Sequence, residues 1–313
     1  MKTLVIGAAG MIGRKLVRAL PGEDLLLQDV VPFDGGIVSD LSAPGEAEKL
    51  VAAKPGLIFH LAAVVSGEAE ADFEKGYRVN LEGTHRLFEA IRKQPDYRPR
   101  VVFTSSIAVF GAPFPEAIGD EFLAAPLTSY GTQKAVGELL LADYTRRGFF
   151  DGIAIRLPTI CVRPGKPNKA ASGFFSGIIR EPLAGEEALL PVPDTVRHWF
   201  ASPRAAVGFL VHASKMNTGQ LGARRSLNMP GVSATVAEQI EALRKVAGEG
   251  AVRRIRRAPD ATILRIVEGW PRNFDAKRAL GLGFRADASF EEIIRIHIED
   301  ELQGKPAPRP GSA

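Results

Sequence analysis

Lys2-Thr-Leu-Val-Ile-Gly-Ala-Ala-Gly-Met-Ile-Gly13 opens the chain, and its reading decides the fold. Leu4-Val-Ile6 is short and apolar, which suits a strand buried on both faces of a parallel sheet. Glycines follow at positions 7, 10 and 13. A chain that turns sharply from strand to helix, admits a phosphate to its backbone and packs the helix on the sheet needs positions without side chains at that spacing. A helix that begins there offers free N–H groups and a partial positive charge to an anion. Lys2 and the apolar run also have the outline of a signal peptide. The glycines soon interrupt that run and no cleavage site follows, so a buried first strand is expected.

The pattern repeats outward. Leu25-Leu-Leu27, Leu57-Ile-Phe59, Val101-Val-Phe103 and Ile153-Ala-Ile155 are short apolar runs. Amphipathic stretches at Arg14–Leu20, Glu46–Ala53, Tyr77–Arg92 and Tyr130–Arg147 separate them. This alternation predicts an α/β fold: a Rossmann-type doubly wound parallel sheet with a smaller C-terminal α/β substrate lobe. After Pro164 the chain is rich in Gly, Pro, Lys and small residues. It then becomes helix plus short strand, with helices expected at Ser233–Ala247 and Phe290–Glu301 and a strand at Val252–Ile255. The expected division is a dinucleotide-binding domain over 1–165, to which 198–230 return, and a substrate lobe over 166–197 and 231–304. The tail 305–313, rich in Pro and Gly, is expected to be disordered. No internal repeat is visible.

At 313 residues, 45% hydrophobic and 24% charged, the chain has the composition of an ordinary globular protein with a sizeable core. The net charge is only +4 and the basic residues are dispersed. Their densest cluster, Arg253-Arg-Ile-Arg-Arg257, alternates around Ile255 and reads as a solvated strand edge. Without an accompanying motif it does not indicate a nucleic-acid partner. The single cysteine, Cys161, excludes an internal disulfide framework and reads as a small core residue in a reducing compartment. No apolar run reaches the length of a membrane helix. A cytoplasmic protein without a metal site is expected.

The second strand ends in Asp29, whose carboxylate suits a ribose hydroxyl and repels a 2′-phosphate. Val30 and Val31 supply no cation for that phosphate, so NAD is expected rather than NADP. Tyr130 and Lys134, in Ser129-Tyr-Gly-Thr-Gln-Lys134, stand one helical turn apart and share a face. A free tyrosine titrates near pH 10, about three units too high for a base at neutral pH. A nearby ammonium and a positively charged nicotinamide both favour the phenolate.

The glycine turn followed about 120 residues later by Tyr-x-x-x-Lys resembles the extended branch of the short-chain dehydrogenase/reductase superfamily. The resemblance implies that Gly7, Gly10, Met11, Ile12 and Gly13 hold the pyrophosphate. It makes Asp40 and Leu41 of Ser39-Asp-Leu41 adenine contacts. It places Leu61, Ala62 and Ala63 of His60-Leu-Ala-Ala63 beneath the cofactor and Asn80 beside the central strand. His60 reads equally as a packed core histidine or a functional one, and Asn80 equally as structural. Thr104-Ser-Ser-Ile-Ala-Val-Phe-Gly111 resembles the superfamily's Ser-Ser-x-x-Val-Tyr-Gly element. By that match Ser106 bonds the reacting oxygen, Tyr130 is the base, and Lys134 holds the ribose and lowers the Tyr130 pKa. Phe110 departs from the Tyr of sugar-nucleotide enzymes. Pro158 and Thr159 resemble the proline flanking the nicotinamide and its neighbour, where sugar-nucleotide enzymes carry Asn-Val or Asn-Pro.

Arg163-Pro-Gly-Lys-Pro-Asn-Lys-Ala-Ala-Ser-Gly-Phe-Phe-Ser-Gly-Ile-Ile-Arg-Glu-Pro-Leu-Ala-Gly185 and Asp275-Ala-Lys-Arg-Ala-Leu-Gly-Leu-Gly-Phe284 resemble the D-erythronate dehydrogenase family. That resemblance implies NAD-dependent oxidation of a four-carbon sugar acid at C2, and a homodimer pairing through helices such as Tyr77–Arg92 and Tyr130–Arg147. It makes Ser66, Ser105, Asn168, Ser172 and Arg197 substrate contacts beside Ser106 and Tyr130. Arg163, Lys166 and Lys169 either face a carboxylate or form a solvated loop. A sugar-nucleotide epimerase or dehydratase, an L-threonine 3-dehydrogenase-like enzyme and a non-catalytic NAD-sensing regulator are the other readings.

Overall fold

The computed structural model describes residues 1–165 and 171–304. The expectations for the tail 305–313 and for Lys166, Asn168 and Lys169 fall outside the described residues. The chain begins β1 (Lys2–Ile6), α1 (Met11–Arg18), β2 (Asp24–Asp29), β3 (Ile37–Val38), α2 (Glu46–Ala52), β4 (Leu57–His60). It continues α3 (Ser66–Ala71), α4 (Phe73–Gly76), a π-helical stretch Tyr77–Glu82, α5 (Gly83–Arg92), β5 (Arg100–Ser106), β6 (Ile118–Gly119), α6 (Ser129–Arg146), β7 (Asp151–Leu157), β8 (Thr159–Ile160). Then come α7 (Gly173–Leu183), β9 (Ala188–Leu190), β10 (Arg197–Ala201), α8 (Pro203–Lys215), β11 (Ser226–Asn228), β12 (Val232–Thr235) and α9 (Val236–Ala247). The described chain ends with α10 (Glu249–Val252), β13 (Ile255–Arg257), α11 (Ala261–Glu268), β14 (Phe274–Asp275), α12 (Lys277–Gly281) and α13 (Phe290–Glu301).

Seven strands form one parallel sheet in the order β11-β7-β5-β4-β1-β2-β3. Alternate side chains of each strand point to opposite faces. Val5, Phe59 and Val102 therefore join Leu16 of α1 and Phe209 and Leu210 of α8 in one core. Leu4, Ile6, Ile58, Val101 and Phe103 join Leu50 of α2, Phe88 of α5 and Leu141 of α6 in another. Each such side chain contributes about 1.5–3 kcal/mol on burial. Strand order reverses between β1 and β4, and a sheet of this kind binds ligands in the crevice beyond the carboxyl ends of the strands at that point.

Beyond β7 the chain builds a second core. Phe175, Ile178, Leu243 and Ile293 pack together beneath a three-stranded sheet ordered β12-β10-β8 and a short β9–β13 pair. Helix α8 and strand β11 lie against or within the main sheet. Strand β10 pairs with β12 and β8.

The structure differs from the sequence expectations at several boundaries. Ser233–Ala247 is not one helix: β12 runs to Thr235, whose side chain and Glu238 form a capping box that starts α9. The expected strand at Val252–Ile255 begins only at Ile255, because Glu249–Val252 makes a helical turn. Helix α1 starts earlier, at Met11. Strand β2 is half-buried rather than enclosed, since only the two exposed residues of β3 lie beyond it. Among the described residues no helix is long and apolar enough to cross a membrane.

Candidate active site

The crevice at the switch point is lined by backbone. Gly7 has φ +88°, and a Cβ there would lie 2.7 Å from Ala62 N. Thus β1 and the chain leaving β4 touch only because residue 7 has no side chain. At Gly13 a Cβ would lie 2.8 Å from Ala8 Cα, so the helix and the turn pack without a gap. Gly10 is exposed at the N-cap of α1. That helix has no capping side chain and no acidic residue in its first turn, so its leading N–H groups are left for an anion. Met11 and Ile12, half-buried, begin it. Asp29 ends β2 beside the turn: its Oδ2 accepts from Ala9 N at 2.9 Å and its Oδ1 from Val31 N at 3.1 Å. An ionised carboxylate has about four acceptor positions, so both oxygens can also take ribose hydroxyls. These features fit a dinucleotide.

The neighbouring residues brace this crevice. Burial alone would raise the Asp40 carboxyl, but hydrogen bonds from Ser42 and Arg78 outweigh it and hold it below the usual carboxylate range. Leu41 belongs to the core. Leu61 and Ala62 both donate to Ile6 O, and Ala63 follows half-buried. Asn80, 1% exposed, grips both backbone groups of Val64: Oδ1 accepts from its N at 2.8 Å and Nδ2 donates to its O at 3.0 Å. His60 is held in the core by Thr84 at 2.9 Å, and burial pushes its pKa down to about 3. It is a packed neutral ring. Pro158 is buried between β7 and β8.

Helix α6 carries Tyr130 and Lys134 in its first turns, and Thr128 caps it by accepting from Gly131 N at 3.1 Å. A side chain at residue 131 would strike the Ala108 carbonyl, so Gly131 lets the helix press on the turn that follows Ser106. Ser106 and Tyr130 line the same cavity. Burial pushes the Tyr130 phenol up to about 12, and the Ser106 hydroxyl opposes this. Lys134 Nζ donates to Thr104 O at 2.8 Å and stands 5.9 Å from the Tyr130 ring centre. Burial lowers its pKa to about 7, against the attraction of Glu138 one turn further on. The Tyr130 phenol is thus raised by desolvation, not lowered as the resemblance implied.

Ser66, Ser106, Tyr130, Thr159, Ser172, His198 and the segment Gly269-Trp-Pro271 enclose a cavity of about 110 Å³. The structure thus gathers Ser66, Ser106, Tyr130 and Ser172. Ser105 is not among them: it is 3% exposed and donates to Glu138 Oε1 at 2.5 Å, within a network that continues through Arg156 to Asn228. Adjacent strand residues face opposite ways, which separates Ser105 from Ser106. Arg197 lines a different and larger cleft of about 650 Å³, with Glu116, Glu268 and Arg272, and contacts Ser233 and Glu238. Arg163 turns its backbone to Ser176 and Arg180. His198 and Trp270 line the cavity although the sequence did not single them out. The strand alternation of Arg197-His-Trp-Phe-Ala201 was the available signal for His198; nothing local marked Trp270.

Residues 3–219 match the NAD dependent epimerase/dehydratase family. The chain is 48% identical to the D-erythronate dehydrogenase of Cupriavidus necator, across 96% of this chain and 98% of that protein. It is 40% identical to the D-erythronate dehydrogenase of Haemophilus influenzae, across 96% and 100%. A crystal structure described as a nucleoside-diphosphate-sugar epimerase from Agrobacterium tumefaciens is 63% identical, with TM-score 0.93 and coverage of 97% and 95%. L-threonine 3-dehydrogenase from Trypanosoma brucei, 24% identical with TM-score 0.86 over 98% and 99%, has the same fold.

Proposed function

Because the chain belongs to the NAD dependent epimerase/dehydratase family, we propose that it is an NAD-dependent oxidoreductase that converts a small sugar acid resembling D-erythronate to its 2-oxo acid. The observation that carries this reading is the cavity of about 110 Å³ lined by Ser106 and Tyr130 together with Ser66, Thr159 and Ser172. Pockets for drug-sized ligands run to about 300–1,000 Å³. A hydroxylated four-carbon acid suits this small space. Phe110 and Thr159 add to this, since both depart from the sugar-nucleotide pattern. Two relatives named for D-erythronate oxidation, similar over nearly their whole lengths, support the same substrate class. The name given to the Agrobacterium protein supports the alternative, a nucleotide-sugar epimerase.

In the proposed mechanism Gly7, Gly10, Met11, Ile12 and Gly13 hold the pyrophosphate and Asp29 the adenosine ribose. The substrate's C2 hydroxyl lies between Ser106 and Tyr130. Bound NAD⁺ would supply the hydride acceptor for C2 and a positive charge near the phenol. Tyr130 takes the hydroxyl proton, so the C2–H and O–H bonds break and C=O forms. Ser106 holds the oxygen throughout, and Lys134 holds the nicotinamide ribose. Substrate deuterated at C2 tests the position: deuterium appearing in the reduced cofactor supports it, and unlabelled NADH places the oxidation at another carbon. Pairing of two copies through Tyr77–Arg92 and Tyr130–Arg147 is the proposed assembly. Leu139 on α6 is 71% exposed. A sedimentation coefficient unchanged by Leu139→Arg would argue against the pairing.

A further inference from the structure

Phe110 lines the cavity that holds Ser106 and Tyr130, and its ring is held in place by its neighbours. It follows the turn Ile107–Val109 at the end of β5 and is 3% exposed. The Arg156 guanidinium lies over the ring, 4.8 Å from its centre. Phe122 and Phe274 pack against it with ring centres 5.7 and 5.8 Å away. The guanidinium is anchored in turn. Arg156 Nε donates to Glu138 Oε1 at 2.9 Å and Nη2 to Glu138 Oε2 at 2.7 Å, a bidentate pairing. Its Nη1 donates to Asn228 Oδ1 at 3.1 Å, and Ser105 Oγ donates to the same Glu138 carboxylate. Residues of β5, α6, β7 and β11 therefore meet around Arg156. A planar cation bonded in this way gains from the aromatic face and resists displacement. Close-packed interiors yield little, so the cavity does not deepen toward Phe110 when a larger molecule enters.

We propose that Phe110 determines how long a sugar acid the site accepts, and that Arg156 is the positioning residue that keeps its ring in place. The inference rests on the sugar-acid reading above and gives it an upper limit. In this arrangement the end of the substrate away from the carboxylate points to Phe110. Ser66, Thr159 and Ser172 also line the cavity and can pair hydroxyls, whereas the Phe110 side chain has no hydrogen-bonding group. Each further carbon of a longer aldonate brings another hydroxyl. Pressed against the ring, that hydroxyl would give up water without gaining a partner, and its carbon would crowd a wall that does not move.

The experiment is steady-state oxidation of D-erythronate and of its longer homologues D-ribonate and D-allonate, which share its configuration at C2 and C3. One extra methylene in a fixed pocket changes kcat/KM by about 10- to 200-fold. The wild type should therefore prefer D-erythronate over D-ribonate by at least about tenfold. Phe110→Ala, which removes the ring, should reduce that preference to less than about threefold. Phe110→Leu keeps an apolar side chain among Phe122 and Phe274 and should lower the preference part of the way; it replaces the alanine variant if that one does not fold. Arg156→Lys keeps a charge for Glu138 but loses the planar stack and the fork, and should also lower the preference. A variant that merely unfolded part of the enzyme would slow all three acids equally and leave the ratio unmoved. A wild type with no preference for the shorter acid overturns the proposal. So does an undiminished preference in Phe110→Ala or, in its place, Phe110→Leu; an undiminished preference in Arg156→Lys removes the positioning role. In each case D-erythronate is still oxidised and the sugar-acid reading stands. Failure of the wild type to oxidise any hydroxy acid overturns both together.

Discussion

In the proposed mechanism the proton chemistry is concentrated at Tyr130, and its surroundings set two predictions. Removing only its oxygen, in Tyr130→Phe, deletes the proton acceptor and should lower kcat by about 10²–10⁴-fold while NAD binding, followed by cofactor fluorescence, is retained. Turnover near the wild-type rate would remove the base from Tyr130. The Ser106 hydroxyl lowers the Tyr130 pKa against burial. Ser106→Ala should therefore shift the acidic limb of the kcat/KM pH profile to higher pH, besides slowing the reaction. An unmoved limb would mean that another group limits the rate. Tyr130 and Lys134 were legible because helical spacing alone puts them on one face. Ser105 and Arg197 were misplaced for the complementary reason. They lie on strands, where the neighbouring residue, Ser106 or His198, takes the opposite face, and short strands give no sequence sign of which face looks into a cavity.

At the scale of elements, the turn from β1 into α1 depends on absent side chains. Gly13→Ala would drive a methyl group into Ala8 and the Gly7 carbonyl. It should cost about 1–3 kcal/mol and lower the thermal midpoint by several degrees. An unchanged midpoint would mean that α1 shifts freely. The spacing of the glycines along the chain is enough to make this contact legible. The π-helical stretch Tyr77–Glu82 was not legible, because a period of 3.6 passes through it almost unchanged. Within it, Asn80 satisfies both backbone groups of Val64 and donates to Gln133 Oε1 at 2.7 Å. Asn80→Ala leaves those buried groups unpaired, and urea unfolding should report a loss of about 2–4 kcal/mol. A loss below about half a kcal/mol would show that water replaces the amide. The start of α9 is a different case. Thr235-Val-Ala-Glu238 is a capping box, a signal present in the sequence that marks where the strand ends and the helix begins.

Across the whole molecule, alternation of short apolar runs with amphipathic stretches specified a parallel sheet wound on both faces. It did not specify the route of the chain after β7, because three-stranded and two-stranded pairings of short segments carry little periodicity. Three buried histidines give the molecule a pH signature: burial lowers His60 to about 3, and His198 and His297 to about 4. Each titrates near 6.5 when unfolded, so between these values the unfolded chain binds more protons. Stability is intact above about pH 6.5 and falls as pH drops toward 4, by up to about 1.4 kcal/mol per unit for each ring. Denaturant midpoints measured from pH 7 to 4.5 should decline steeply, and His60→Gln should flatten the decline; a flat profile in the wild type would mean that these rings are solvated.

The account as a whole turns on whether the enzyme releases reduced cofactor from a sugar acid. The direct measurement is NADH absorbance in the presence of D-erythronate, L-threonine and UDP-sugars. Steady NADH formation with D-erythronate, and little with the others, is the predicted result. No NADH with any hydroxy acid, together with interconversion of a UDP-sugar and no net reduction, would contradict it and make the chain an epimerase.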